Sequence, residues 1–154
     1  MFAPAAVYRS TAHANAGSSA GSSAAGAYRQ IGVETGVAGA SPHQLVLMLF
    51  DGFNEAVTQA SAALQLGQIE TRGRAIGRAA SIVDDGLKAG LDVKAGGKLA
   101  EDLTALYTYV TLRLTHANLH SDATALDECK RLMEPLRAAW IGIGPASNTA
   151  TRTQ

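Results

Sequence analysis

His116 and His120 stand four residues apart in a segment of helical periodicity, a spacing that can present two imidazoles to a metal ion from one helix face. The rest of a metal site does not accompany them. No HExxH motif surrounds the pair, and the Glu-x-x-His spacing of di-iron bundles occurs nowhere in the chain. The two therefore read as surface or partner-contacting histidines. Cys129, the lone cysteine, falls on the apolar stripe of a helical segment, the setting of a small buried hydrophobe and not of an activated thiolate. The acidic neighbours Asp84 and Asp85, and Glu101 and Asp102, lie beside or opposite apolar stripes and read as solvating groups, not as general acid and base. P-loop, GxGxxG and GxSxG motifs are absent. The residues thus argue against an enzyme, and no cofactor is expected.

The whole composition agrees with a binding role. Lys plus Arg equals Asp plus Glu at 13 each, so no large net field holds nucleic acid or an anionic membrane by charge alone. A protein or small-molecule partner fits better. A single cysteine cannot form an internal disulfide, which suits a reducing compartment. The longest apolar run, Leu45 to Phe50, is far shorter than the roughly 20 residues that span a bilayer. No Lys/Arg cluster followed by a long apolar stretch opens the chain, so a secretory signal is not expected and the cytoplasm is the expected location.

With 154 residues the chain has the length of one domain. Residues 16–26, AGSSAGSSAAG, offer nothing larger than Ser to bury, so 1–26 reads as a flexible tail. Inside it, VYRS at 7–10 echoes AYRQ at 27–30, and the echo reads as chance similarity. The polar stretch 144–154 reads as a second disordered tail. Between them, 27–143 forms the folded domain, with four periodic segments rich in Ala and Leu and no alternating β-branched runs. The expected class is all-α.

Helix one starts at Ser41 as N-cap, with Pro42 at N1 and Gln44 closing a capping box, and stops at Gly67. Helix two spans about 69–91, helix three 98–119, and helix four runs from Ser121 or Asp122 to about Ile143, bent but not broken at Pro135. Short connections between helices of similar length predict an antiparallel up-down four-helix bundle.

Each helix needs one apolar stripe for such a core, yet three carry more. In helix one, Leu45, Val46, Leu49, Phe50 and Phe53 share one arc, whereas Leu47 and Met48 fall outside it among Gln44, Asp51 and Glu55. Helix three sets Leu99, Leu103, Leu106, Val110, Leu114 and Ala117 toward the core and carries a second row of Ala105, Tyr109, Leu112, His116 and Leu119. Helix two has a second row of Ala75, Ala79, Ile82, Gly86 and Ala89, nearly all small. A small row beside a bulky one describes a groove able to receive an amphipathic helix. Scattered surface Leu and Tyr are ordinary, but a continuous row left in water is an aggregation hazard, which favours a cover supplied by a partner or by the chain's own N-terminal segment.

Several ordered blocks carry a resemblance: AYRQIGVET at 27–35, ASPHQLVLMLFDG at 40–52, SIVDDGLKAGLD at 81–92, LYTYVTLRLTHANLHSD at 106–122, and AW at 139–140. Together they resemble the FliS family of flagellar export chaperones over 28–143. The resemblance implies an antiparallel helical bundle that binds the disordered C-terminal part of flagellin one-to-one, keeps it from polymerising in the cytoplasm and assists its delivery to the flagellar type III export apparatus. It also implies that a short N-terminal cap containing Tyr28 lies against the bundle and is displaced or rearranged when flagellin binds. Positions matching the family are Tyr28, Ile31, Val33 and Glu34 in that segment, Leu47 and Met48 in the first helix, and Tyr107, Tyr109, Arg113 and Asn118 in the third. Periodicity adds Ile82, Leu112, His116 and Leu119 to the partner-binding set. The export gate and other flagellar regulators are further partners that the resemblance implies. The alternatives are an adaptor that binds another flagellar or regulatory protein through the same surface, and a cofactor-binding bundle enzyme.

Overall fold

Ser41 begins the first helix as the capping box requires. Its backbone is extended, its Oγ accepts from the Gln44 N–H (3.2 Å), and the Gln44 side chain accepts from the Ser41 N–H (2.9 Å). These features belong to a computed structural model that describes residues 7, 8 and 39–144. Tyr28, Ile31, Val33 and Glu34 lie outside the described residues.

Helix α1, Pro42–Gln65, ends in Leu66 and Gly67, whose φ of +70° is the left-handed turn that glycine adopts without a Cβ penalty. Helix α2, Ile69–Ser81, passes directly into a π-helical stretch, Ile82–Lys88, after which the Ala89 N–H reaches back five residues to the Asp84 carbonyl (3.1 Å). Helix α3, Val93–His120, is capped by Asp92 and interrupted at Gly97 (φ 54°, ψ −132°), so the regular helix starts at Lys98. That start is where the sequence puts it. Helix α4, Ala123–Gly142, is capped by the Asp122 carboxylate and runs on through Pro135.

The four helices share one core, in which Leu49, Phe53, Leu87, Tyr107, Leu114 and Leu126 are fully buried. Burial of each such side chain contributes roughly 1.5–3 kcal/mol. Both α1 and α3 pack against α2 and α4. Polar ties join α1 to α4: the Arg137 guanidinium donates to Asp51 (2.7 Å), and Lys130 donates to Thr58 (2.9 Å). At the start of α1, the His43 Nε2–H donates to the Trp140 carbonyl (2.7 Å), the Trp140 indole N–H donates to the His43 carbonyl (3.0 Å), and the two rings stack at 5.0 Å.

Packing on two neighbours corrects the expected faces. Leu47 and Met48 are not fully outside the packed face, because both are partly buried and packed against the core. Gly52, one turn beyond Met48, lies so close to α2 that a Cβ there would stand 3.2 Å from the Ile82 side chain. The second row of helix two is correspondingly not an outer row. Ala75, Ala79, Ile82 and Gly86 are buried, and a Cβ on Gly86 would stand 3.0 Å from Leu49. Helix α2 turns its small residues toward α1, which is what lets the two backbones approach.

The second correction concerns the N-terminal segment. Val7 and Tyr8, assigned from sequence to a flexible tail, are buried members of the core. The Val7 carbonyl accepts from the Asp92 N–H, and Tyr8 forms an isolated antiparallel bridge with Leu91. The Tyr8 and Tyr107 hydroxyls hydrogen-bond, and the Tyr8 ring meets Trp140 edge-on at 5.3 Å. A bare backbone at Gly96 makes room, since a Cβ there would stand 3.2 Å from the Val7 Cα. Val7 and Tyr8 are therefore a docked segment and not part of a free tail.

Candidate partner-binding site

The outer row of α3 survives folding as an exposed surface. Tyr109 is 43% exposed, Leu112 64% and Leu119 74%. Spacings of three, four and three residues between Tyr109, Leu112, His116 and Leu119 keep the four on one face. Leaving two leucines this open forgoes the stabilisation that burying them would bring, so the row is suited to being covered by something else.

A polar network borders the row and fixes its shape. Glu128 of α4 accepts from the Tyr109 hydroxyl (2.9 Å) and from the Arg113 Nε–H (2.7 Å). Asp122 stands 4.0 Å from Arg113 and 3.3 Å from His116. The two donated hydrogen bonds, from Tyr109 first and then Arg113, hold the Glu128 carboxyl below its ordinary range. The same bonds raise the Tyr109 phenol and the Arg113 guanidinium above theirs. Arg113 is thereby a strut between α3 and α4, bonded to Glu128 through its Nε–H and ion-paired with Asp122.

Asn118 is also engaged within the chain. Arg72, in the first turn of α2, donates to the Asn118 side chain (3.2 Å), to its carbonyl (3.1 Å) and to the Ser121 hydroxyl (2.8 Å). This clamp brings the start of α2 to the end of α3. Beside it lie two exposed side chains that the sequence reading omitted, Leu66 at 71% and Ile69 at 68% exposure. With Leu119 they extend the apolar surface around that end of the molecule.

Of the side chains expected to meet a partner, Tyr109, Leu112, His116 and Leu119 form one accessible face. Ile82 and Tyr107 do not. Both are buried in the core, Tyr107 beneath Tyr8, and neither is part of that accessible face. Leu47 and Met48 belong to the packing of α1, as described above. Val7, Tyr8 and Trp140, which pack together in the core, were not among the residues expected to carry function.

Among the described residues, no three His, Cys, Asp or Glu side chains gather where a metal could be held, although the His116 and His120 rings lie 4.5 Å apart. Among the same residues, no helix is long and apolar enough to cross a membrane.

Comparison with known proteins adds to this geometry. The family model described as "Flagellar protein FliS" matches residues 24–147. The chain is 45% identical to the flagellar secretion chaperone FliS of Salmonella typhimurium over 122 residues, 79% of this chain and 90% of the relative. It is 41% identical to the protein of the same name from Escherichia coli over 114 residues, covering 74% of this chain and 84% of that one. It is 39% identical to the flagellar secretion chaperone FliSB of Pseudomonas aeruginosa over 116 residues, covering 75% and 91%.

Proposed function

The chain belongs to the FliS family, and on that premise we propose that it is a cytoplasmic export chaperone for flagellin. The reading takes the four helices as an antiparallel up-down bundle. Its client is the disordered C-terminal region of flagellin, held one-to-one so that it neither polymerises early nor misses the flagellar type III export apparatus.

The observation that carries the reading is the exposed row Tyr109, Leu112, His116 and Leu119. A flagellin segment with apolar residues three and four apart becomes helical as it lays its apolar face on that row. Part of the contact energy is spent ordering the segment, so the complex forms and releases without covalent chemistry. No cofactor and no bond-making step enter the proposal. The struts Arg113–Glu128 and Arg72–Asn118 hold the receiving surface rigid, which lowers the ordering cost on the chaperone's side.

Calorimetry with the cognate flagellin tests this. One-to-one binding is expected, lost when the flagellin C-terminal segment is deleted. Leu112→Asp with Leu119→Asp weakens it at least tenfold, because each burial contributes about 1.5 kcal/mol or more. Unchanged affinity in the double variant removes the surface, and binding that survives deletion of the flagellin tail removes the client. Capture of a different flagellar protein by the same row, with flagellin ignored, assigns the adaptor role instead.

A further inference from the structure

We propose that His116 and His120 form a two-imidazole chelate on the outer face of α3 for a divalent transition-metal ion of the zinc, nickel and copper class. The sequence supplies only the four-residue spacing. What the fold adds is a fitting distance between the rings and a carboxylate, from the start of α4, that prepares one of them.

Side chains on a helix lean toward its N-terminus, so a residue four positions on lies over its predecessor. The His120 ring accordingly stands 4.5 Å from the His116 ring, centroid to centroid, at a tilt of 40°. Two imidazoles that share one ion at metal–nitrogen distances of about 2.0–2.1 Å have ring centres roughly 4.5–5 Å apart. The spacing is met before any ion arrives. Both rings reach solvent, the His116 side chain at 42% exposure and His120 as an exposed residue. Among the described residues, His120 meets only the His116 ring, so its nitrogens are open to an ion.

His116 is prepared by Asp122. Its Nε2 lies 3.3 Å from the Asp122 Oδ2. In the neutral imidazole that nitrogen carries the proton and donates to the carboxylate, which leaves the Nδ1 lone pair for a metal. A carboxylate bonded to the far nitrogen of a ligand histidine fixes its tautomer and raises its basicity. Asp122 is fixed in turn, because its Oδ1 accepts from the Ala125 N–H (3.3 Å) as the cap of α4 and Arg113 stands 4.0 Å from its Oδ2. Rival donors are engaged elsewhere. His43 is bonded through Nε2 to the Trp140 carbonyl and stacked on its ring, and the Cys129 thiol is buried.

Two protein ligands leave the other coordination positions to water, so the ion comes and goes reversibly. Neutral imidazole suits borderline ions, with Cu²⁺ bound most tightly and Ni²⁺ and Zn²⁺ less so, and it does not suit the hard cations that take oxygen ligands. The site also bears on the row to which His116 belongs. A hydrated dication there, between Leu112 and Leu119 in the row, denies an apolar helix its contact. On the reading that this row receives the client, ion and client therefore exclude one another, each weakening the other by the same factor.

Calorimetric titration of the full-length protein with Zn²⁺ tests the site without any client. One ion per chain is expected at the pair. His116→Gln and His120→Gln each lower the affinity roughly tenfold or more, and Asp122→Asn, which keeps a capping side chain on α4, lowers it about tenfold. Zn²⁺ also raises the urea midpoint of the parent but not of His120→Gln. Equal uptake by the parent and His120→Gln assigns the binding to adventitious groups elsewhere and overturns the proposal. Parental affinity in Asp122→Asn overturns the part given to the carboxylate. With the site loaded, flagellin is expected to bind severalfold more weakly to the parent, and no more weakly to His120→Gln. Flagellin affinity unmoved by a loaded site overturns the exclusion, whereas the row's own role is read separately from Leu112→Asp with Leu119→Asp.

Discussion

Cys129 and Glu128 are chain neighbours with opposite environments, and their chemistry follows from that. Burial raises the Cys129 thiol to about 12, and its Sγ–H faces the Val110 carbonyl at 3.7 Å. The thiol is expected to resist iodoacetamide at pH 8 in the native protein and to react rapidly once urea unfolds it, as followed by mass spectrometry. Fast labelling of the folded form contradicts the burial. Glu128 is held below its ordinary value of 4.5 by the Tyr109 and Arg113 hydrogen bonds. A depressed carboxyl stabilises the fold fully above 4.5, and that contribution fades as pH falls through the lowered folded-state value. Glu128→Gln should therefore flatten the acid limb of a urea-midpoint profile below about pH 4.5 while leaving the slope near neutrality unchanged. An unaltered acid limb assigns the sensitivity elsewhere. Cys129 was legible in the sequence as a buried thiol, whereas Glu128 was not singled out there, because only the fold shows that its carboxylate is tied from two sides.

At the scale of elements, the local signals of the sequence were reliable where they rested on caps. Ser41, Gly67 and Asp122 each sit where chain chemistry alone puts a boundary. Ser41→Ala removes the hydrogen bond to the Gln44 N–H and is expected to cost about 1 kcal/mol by denaturant unfolding. A Gly67→Ala change forces a Cβ into the left-handed region and should cost about 1–2 kcal/mol, with no steric contribution because open space surrounds it. The same reasoning misplaced Ile82 for a definite reason. A helical wheel turns every residue by the α-helical angle, whereas Ile82–Lys88 bonds to the fifth residue back. That wider turn lets Ile82, Val83, Gly86 and Leu87 all reach the core. Two stripes that looked separate on the wheel are one broad face. Nothing in SIVDDGLK announces a π-helix, so this part of the core was not legible beforehand. The outer row of α3, in regular helix, was.

For the molecule as a whole, the two ends of the helix set differ. Near the start of α1 and the end of α4, the pocket is closed by Val7 and Tyr8 over Tyr107 and Trp140. At the other end, Leu66, Ile69 and Leu119 stand open around the Arg72 clamp. Arg72→Ala releases that clamp, and the client affinity is expected to fall severalfold although Arg72 itself need not touch the client. Affinity held at the parental value would show that the clamp does not shape the surface. The helices and their order could be read from periodicity, but the arm could not, because a contact between positions 8 and 107 leaves no periodic trace. Its separation of 99 residues also sets an order of events during synthesis. Chains emerge N-terminus first, so Val7 and Tyr8 are made well before Tyr107 and Trp140. They have nowhere to bind until Trp140 has been added and α4 has closed against α1. Until then the arm has no pocket to enter, so its seating follows the closing of the helices and comes late in the maturation of the chain.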